Sequence, residues 1–445
     1  MRLNTSYRQI LSISVPIMLA SATQNVIVLC DNIFLNSVSR LDFAAVGIVG
    51  VFYLMIASIG YGFSRGGQII IARRAGQREY RLVGNCFQAL FIFEMVLAFF
   101  MFLFLQLGTP WLFGLLIDNP IIYEKCLEYI IPRSYGVFFS YIGVTLISLY
   151  TGIARTKFII YTALVLTVVN ILLNYALIFG HWGFPEMGIA GAGWASTLAE
   201  IVSFIMFIIY MLFDTRIRKY KLLDFSSLKP KLITQVGKLS YPIVLQSLIG
   251  LGSWFIFFAM IENIGANELS ISNLIRNIYL ILSIPCWGFS AGINTIVSGF
   301  VGLQKRQAVL PMVKKTALLS MLVTVGLTIP ILIAPTFILY PLFGTEDMSL
   351  INDTIPYLPL LLLILATFSA GTIYMNGLIG LGKTQRALWI QAGMTVFYVV
   401  YIYLILKVFD LGIGWGWFSE VIYWLSMMII VSYYLKSNKW KETVR

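Results

Sequence analysis

The sequence predicts an all-α integral membrane protein: twelve transmembrane helices in two six-helix lobes built as a parallel internal repeat. Three observations carry this. Of 445 residues, 59% are hydrophobic and only 11% are charged, whereas a soluble domain is about a quarter charged, so lipid is the main solvent. Twelve apolar stretches are long enough to cross a bilayer, near 12–36, 44–72, 86–108, 127–152, 158–179, 188–213, 240–263, 270–301, 316–344, 354–380, 386–409 and 412–436. Finally, residues 8–77 slide forward without a gap until Pro16 falls on Pro242.

The repeat is specific. In that register Ser14-Val15-Pro16 meets Ser240-Tyr241-Pro242, Ser21 meets Ser247, Tyr53-Leu54 meets Tyr279-Leu280, and Gly76 meets Gly302. Gly62-Phe63-Ser64-Arg65-Gly66 meets Gly288-Phe289-Ser290-Ala291-Gly292. Further on, Gly152, Arg155 and Thr156 match Gly380, Lys383 and Thr384, and Gly193-Trp194 matches Gly416-Trp417 after a small deletion. Six spans per copy is an even number, so both copies begin on the same side and are related by an axis along the membrane normal. The expected domains are an N-lobe over 1–213, a cytoplasmic linker over 214–238 and a C-lobe over 239–445. Glycines and prolines kept in both copies read as packing and backbone devices.

Basic residues orient the chain. One set of connections holds Arg73, Arg74, Arg78 and Arg81, then Arg155 and Lys157, then Arg216 through Lys238, then Lys305, Arg306, Lys314 and Lys315, then Lys383 and Arg386. The opposite side carries Asp42, Asp118, Glu124, Glu186, Glu268, Glu346, Asp347 and Asp410. Cytoplasmic loops collect Lys and Arg, which places both termini in the cytoplasm of a multi-pass protein of the cell's inner (plasma) membrane. The net charge of +12 is therefore a topology signal, and no basic soluble domain exists to hold a nucleic acid. The first apolar stretch lacks a cleavage site and recurs at 240–263, so it reads as structure. Asp214–Lys238 reads as a solvated linker with an amphipathic portion. Cys30, Cys86, Cys126 and Cys286 form no spaced pair. The single His181 lies in a glycine-rich loop.

Function is expected where one copy is polar and the other is not. Asp31 lies inside the first span and its counterpart is Phe257; Gln24, seven residues earlier on the same helical face, has Gly250 as counterpart. A carboxylate at membrane depth costs about 2.5–3.5 kcal/mol even on lenient scales and usually faces a cavity. Asn170 and Asn174 share a face of the fifth span, while 388–406 contains no Asn or Asp. Arg65 lies on the second span against Ala291, and Glu94, Glu200 and Glu420 also fall inside spans. These are secondary candidates, for ion pairs or proton relay.

One motif misleads. Gly377-Leu378-Ile379-Gly380-Leu381-Gly382-Lys383-Thr384 satisfies the phosphate-loop pattern. That motif works only between a strand and a helix N-terminus, and here apolar spans flank it. No nucleotide is expected as a partner.

The segment Val169–Gly180 with its two asparagines, followed by Gly183–Ser196, resembles the fifth-to-sixth-helix signature of the multidrug and toxic compound extrusion (MATE) transporters. Pro16-Ile17-Met18-Leu19 and Asp31-Asn32-Ile33-Phe34-Leu35 resemble their first helix, and Gly152–Lys157 is similar too. The resemblance covers essentially the whole chain. It implies two six-helix lobes exporting amphipathic, often cationic compounds in exchange for protons or sodium, with Asp31 as coupling carboxylate assisted by Asn170, Asn174 and Ser196, and Gln24 facing substrate. Two departures stand out: members with a sodium site usually carry Asp where this chain has Asn174, and the acidic pair of some second lobes is absent from spans 7 and 10.

The expectation is thus a secondary active antiporter, not an enzyme, a monomer in the lipid bilayer that handles a small-molecule substrate. It needs no cofactor beyond protons or sodium as coupling ion. Substrate-binding is assigned to Gln24, Asp31, Asn170 and Asn174. The alternative is a flippase for lipid-linked sugars, whose cavity would be cationic, with Arg65 and Arg133 as its hints.

Overall fold

The computed structural model describes residues 4–228, 230–343, 348–437 and 440. Arg2, Glu346 and Asp347 lie outside the described residues, and so do the side chains of Gln24, Asn36, Arg40, Ser227, Leu342 and Phe343. In chain order the α-helices are α1 (Tyr7–Val38), α2 (Arg40–Gly76), α3 (Tyr80–Leu103), α4 (Thr109–Leu116), α5 (Pro120–Gly152), α6 (Lys157–Phe179), α7 (Gly188–Phe213) and α8 (Pro230–Glu262). They continue as α9 (Ala266–Leu282), α10 (Ile284–Gly302), α11 (Val309–Ile333), α12 (Pro335–Phe343), α13 (Met348–Thr354), α14 (Leu358–Gly380), α15 (Thr384–Tyr403) and α16 (Ile413–Lys436). Among the described residues, 12 helical segments are long and apolar enough to cross a membrane.

The ends of these helices follow local chemistry. Ser39 caps α2, its hydroxyl accepting from Leu41 N, and Asn119 caps α5 ahead of Pro120 at the first turn. Gly180 closes α6 in the left-handed region at φ 71°. The stretch expected as one span over 270–301 is broken: α9 ends at Leu282, Ser283 caps it, and Pro285 sits in the first turn of α10. Proline cannot donate the hydrogen bond that would continue α9, so the chain restarts.

Two compact units form, one of Leu19–Val244 and one of the stretch up to Met18 together with Leu245 onward. Their boundaries fall inside α1 and α8, not at the 214–238 linker where the lobes were expected to part. The reason is visible in the repeated motifs. A Cβ on Gly66 of α2 would collide with Ser240 Oγ of α8, whose hydroxyl donates to Phe63 O at 2.9 Å. In the other unit a Cβ on Gly292 of α10 would collide with Ser14 Oγ of α1. The second span of each repeat thus receives the start of the other repeat's first helix, and the paired glycines exist to admit it.

Within the first unit α5 packs on α2, α3 and α7, and α6 packs on α7. In the second, α14 takes the equivalent place against α10, α11 and α16. The linker is docked rather than simply solvated. Gln88 Nε2 of α3 donates to the carbonyls of Lys221, Leu222 and Asp224 at 3.1, 3.0 and 2.9 Å. Arg81 pairs with Asp224 at 2.8 Å, and Ile217 and Tyr220 are buried. Hydrogen bonds from Ser226, then the Arg81 charge, hold the Asp224 carboxyl below the usual carboxylate range.

Candidate functional site

The site is assembled by α1, α6 and α7. Asn170 and Asn174 sit one turn apart on α6 and are both buried. Asn174 Nδ2 donates to Asp31 Oδ1 of α1 and to Asn170 Oδ1 at 3.1 Å. Asn170 Nδ2 in turn donates to Ser196 Oγ of α7 at 3.1 Å. Four of the five expected residues therefore form one hydrogen-bonded chain across three helices. The side chain of the fifth, Gln24, lies outside the described residues. At the residue before it in the chain, Thr23 O accepts from Thr167 Oγ1 at 3.4 Å, which ties α6 to that part of α1.

The chain is incomplete at one atom. Among the described residues, Asn174 Oδ1 is buried and accepts no hydrogen bond. A buried acceptor left unsatisfied costs roughly 1–3 kcal/mol. An acceptor that close to a carboxylate can take the O–H of a protonated acid or ligate a cation.

The secondary candidates separate. Glu200 of α7 forms a two-pronged ion pair with Arg133 of α5, Nη1 to Oε2 at 2.8 Å and Nη2 to Oε1 at 2.6 Å. The Arg133 guanidinium also lies over the Tyr53 ring, 4.1 Å from its centroid. Arg133 is thus neutralised and does not make a cationic cavity. Glu94 of α3 is fully buried at 0% exposure; its Oε1 accepts from Ser64 at 2.9 Å, and its Oε2 has no hydrogen-bond partner among the described residues. Arg65 is half-buried and, among the described residues, takes part in no ion pair. His181 stacks on Tyr175 with centroids 4.2 Å apart. Gly377–Gly380 close a helix, with Gly382 at φ 78° in the turn that follows, so no strand feeds the phosphate-loop pattern.

Glu420, expected only as a secondary candidate for an ion pair or proton relay, has unusual surroundings. On α16 it accepts from Trp254 Nε1, Tyr398 OH and Trp424 Nε1, each at 2.9 Å. The missed signal was positional: Glu420 directly follows Ser419, the repeat partner of Ser196. Among the described residues, no group of three or more His, Cys, Asp and Glu could hold a metal ion.

Two compact units, related by sequence repeat and each gathered around its own fourth span, define a repeat-built polytopic membrane protein. The MatE family profile matches residues 16–176 and 242–404, one match in each repeat, and the chain belongs to that family. It is 24% identical over 454 residues to the probable multidrug resistance protein NorM of Thermotoga maritima, with 98% of this chain and 93% of that relative covered. The match to multidrug resistance protein NorM of Photobacterium profundum is 25% identical over 264 residues and spans 58% of this chain and 57% of that protein. The chain thus aligns with little more than half the length of that relative.

Solved structures agree on the fold. One described as the outward-facing conformation of a multidrug resistance MATE family transporter of the MOP superfamily has a TM-score of 0.88 at 19% identity, covering 97% of this chain and 95% of the other. A MOP superfamily transporter from Pyrococcus furiosus, described as having a binding pocket of reversed polarity, has a TM-score of 0.87 at 19% identity, with 97% and 95% covered. At that identity the likeness shows the fold alone.

Proposed function

We propose that this protein is a secondary active antiporter that exports amphipathic organic cations in exchange for protons, alternating access across the cell membrane with both termini cytoplasmic. The observation that carries the reading is the chain Asp31–Asn174–Asn170–Ser196, which ties the single carboxylate of α1 to neutral amides. A carboxylate in this setting offers a counter-charge to a cation; once protonated, it withdraws that counter-charge. Asn174 Oδ1, which accepts no hydrogen bond among the described residues, gives the added proton an acceptor, so protonation completes the network instead of breaking it. Sodium would be better served by several anionic oxygens, and here one carboxylate stands among amides and a hydroxyl. The family membership and the multidrug-resistance relatives support export as the activity. A sugar-lipid flippase would want a cationic cavity, and the Arg133–Glu200 pair weighs against that.

The test is efflux of a cationic dye from proteoliposomes under separately imposed proton and sodium gradients. Asp31→Asn is expected to abolish proton-driven export while the protein still folds and inserts. Sustained export by that variant, or export driven by sodium and indifferent to pH, would place coupling elsewhere.

A further inference from the structure

The second repeat has its own acid, at a position where the first has none. Carrying the Thr156–Thr384 register onward sets Thr167 opposite Thr395 and Asn170 opposite Tyr398. Asp31 corresponds to Phe257, and Ser196 to Ser419. Where the first unit gathers Asp31, Asn170 and Ser196, the second gathers Phe257, Tyr398 and Glu420, with ring centroids of Phe257 and Tyr398 6.3 Å apart. The negative charge has moved from the first helix of the repeat to the last.

The hydrogen bonds hold that charge in place. Glu420 is 3% exposed. Trp254 Nε1 occupies its Oε1 and Trp424 Nε1 its Oε2. An indole N–H only donates, so both oxygens face obligate donors and the arrangement is built for a carboxylate. Tyr398 OH donates to Oε1 as well. In the first unit the half-buried Glu200 is answered by Arg133. Here, among the described residues, no Lys, Arg or His forms an ion pair with Glu420. Arg276 lies over the Phe258 ring instead, 4.8 Å from its centroid.

Aromatic rings cluster about the acid. Tyr279 lies 5.4 Å from Trp254 and 5.2 Å from Phe368, which sits 4.8 Å from Trp424, all between ring centroids. Trp254 and Trp424 are only half-buried. The carboxylate meets these rings at their N–H and O–H edges, and a desolvated carboxylate among aromatic rings, whose faces are negative, attracts a diffuse organic cation more strongly than a small hydrated one.

We infer that Glu420 with Trp254, Tyr398 and Trp424 forms an organic-cation subsite in the second unit, separate from Asp31. This rests on the reading of the protein as a cation exporter, but its test is independent of coupling. Tetraphenylphosphonium and tetraphenylborate share a shape and differ in charge sign. Equilibrium dialysis of the purified full chain, without any gradient and in an Asp31→Asn background, measures affinity for each. The subsite requires that the cation still bind in that background and the anion bind weakly, and that Glu420→Gln lower cation affinity about tenfold and collapse the discrimination. Glu420→Asp keeps the charge and should retain the preference. If Glu420→Gln fails to fold, Trp254→Leu, which removes one face and one donor, is expected to weaken cation binding while Trp254→Phe retains more of it. Unchanged discrimination in Glu420→Gln, or no cation binding once Asp31 is neutral, overturns the subsite. Gradient-driven export surviving Asp31→Asn overturns the coupling reading whatever Glu420 does.

Discussion

At the scale of single residues, neighbours decide what each buried charge means. Asp31 is linked to Asn174, whose amide nitrogen also serves Asn170. Asn174→Asp would place a second carboxylate at this point, and two carboxylates in contact require a shared proton or a cation between them. Export by Asn174→Asp is therefore expected to depend more strongly on an inward sodium gradient than export by the parent, read as dye efflux at fixed pH. The Arg133–Glu200 pair is structural by the same reasoning. With side-chain exposures of 10% and 15%, neither charge has water to fall back on. Glu200→Gln should cost about 3 kcal/mol by stranding a buried cation, seen as a lowered melting temperature in detergent. The charges themselves were legible in the sequence, and so was the facing of Asn170 and Asn174. That Arg133 meets Glu200 was not, because helical periodicity reports which side of a helix a residue occupies and says nothing about which helix lies opposite.

Among the elements, close helix crossings depend on glycine. Gly84 of α3 admits the Tyr220 carbonyl of the linker, where any Cβ would collide, and Gln88 holds the next carbonyls. Gly84→Val is expected to release the linker, with protease cutting within 214–228 that the parent resists while α3 itself remains intact. Gly66 and Gly292 act similarly toward Ser240 and Ser14. Gly66→Leu should separate α2 from the start of α8 and lower thermal stability, whereas leucine at Gly47, which has open space around it, should do little. The repeat marks Gly66 and Gly292 as packing devices, without naming their partners. The docked linker was not readable, since its Lys and Asp residues suit solvent and contact with α3 alike.

For the whole molecule, topology follows from charge. If the Lys- and Arg-rich connections are cytoplasmic, cysteine at Lys219 should react with an impermeant thiol reagent only in inside-out vesicles, and cysteine at His181 only in right-side-out cells; labelling of both from one side would contradict the assignment. The number of spans, their order and the two-copy plan were all determined by the sequence, because lipid demands long apolar helices and a duplicated sequence repeats its pattern. Asp31, Asn170 and Asn174 were legible by the same logic, as polar groups costly to bury, whereas Ser196 followed only from the resemblance to the family. Only the tertiary structure decided that the compact units divide inside α1 and α8, that Arg133 is neutralised by Glu200, and that Glu420 rests among three aromatic donors. Each of these depends on contacts between residues far apart in the chain. A linear pattern records the cost of burying a group, while the partner that offsets that cost is set by which helices touch.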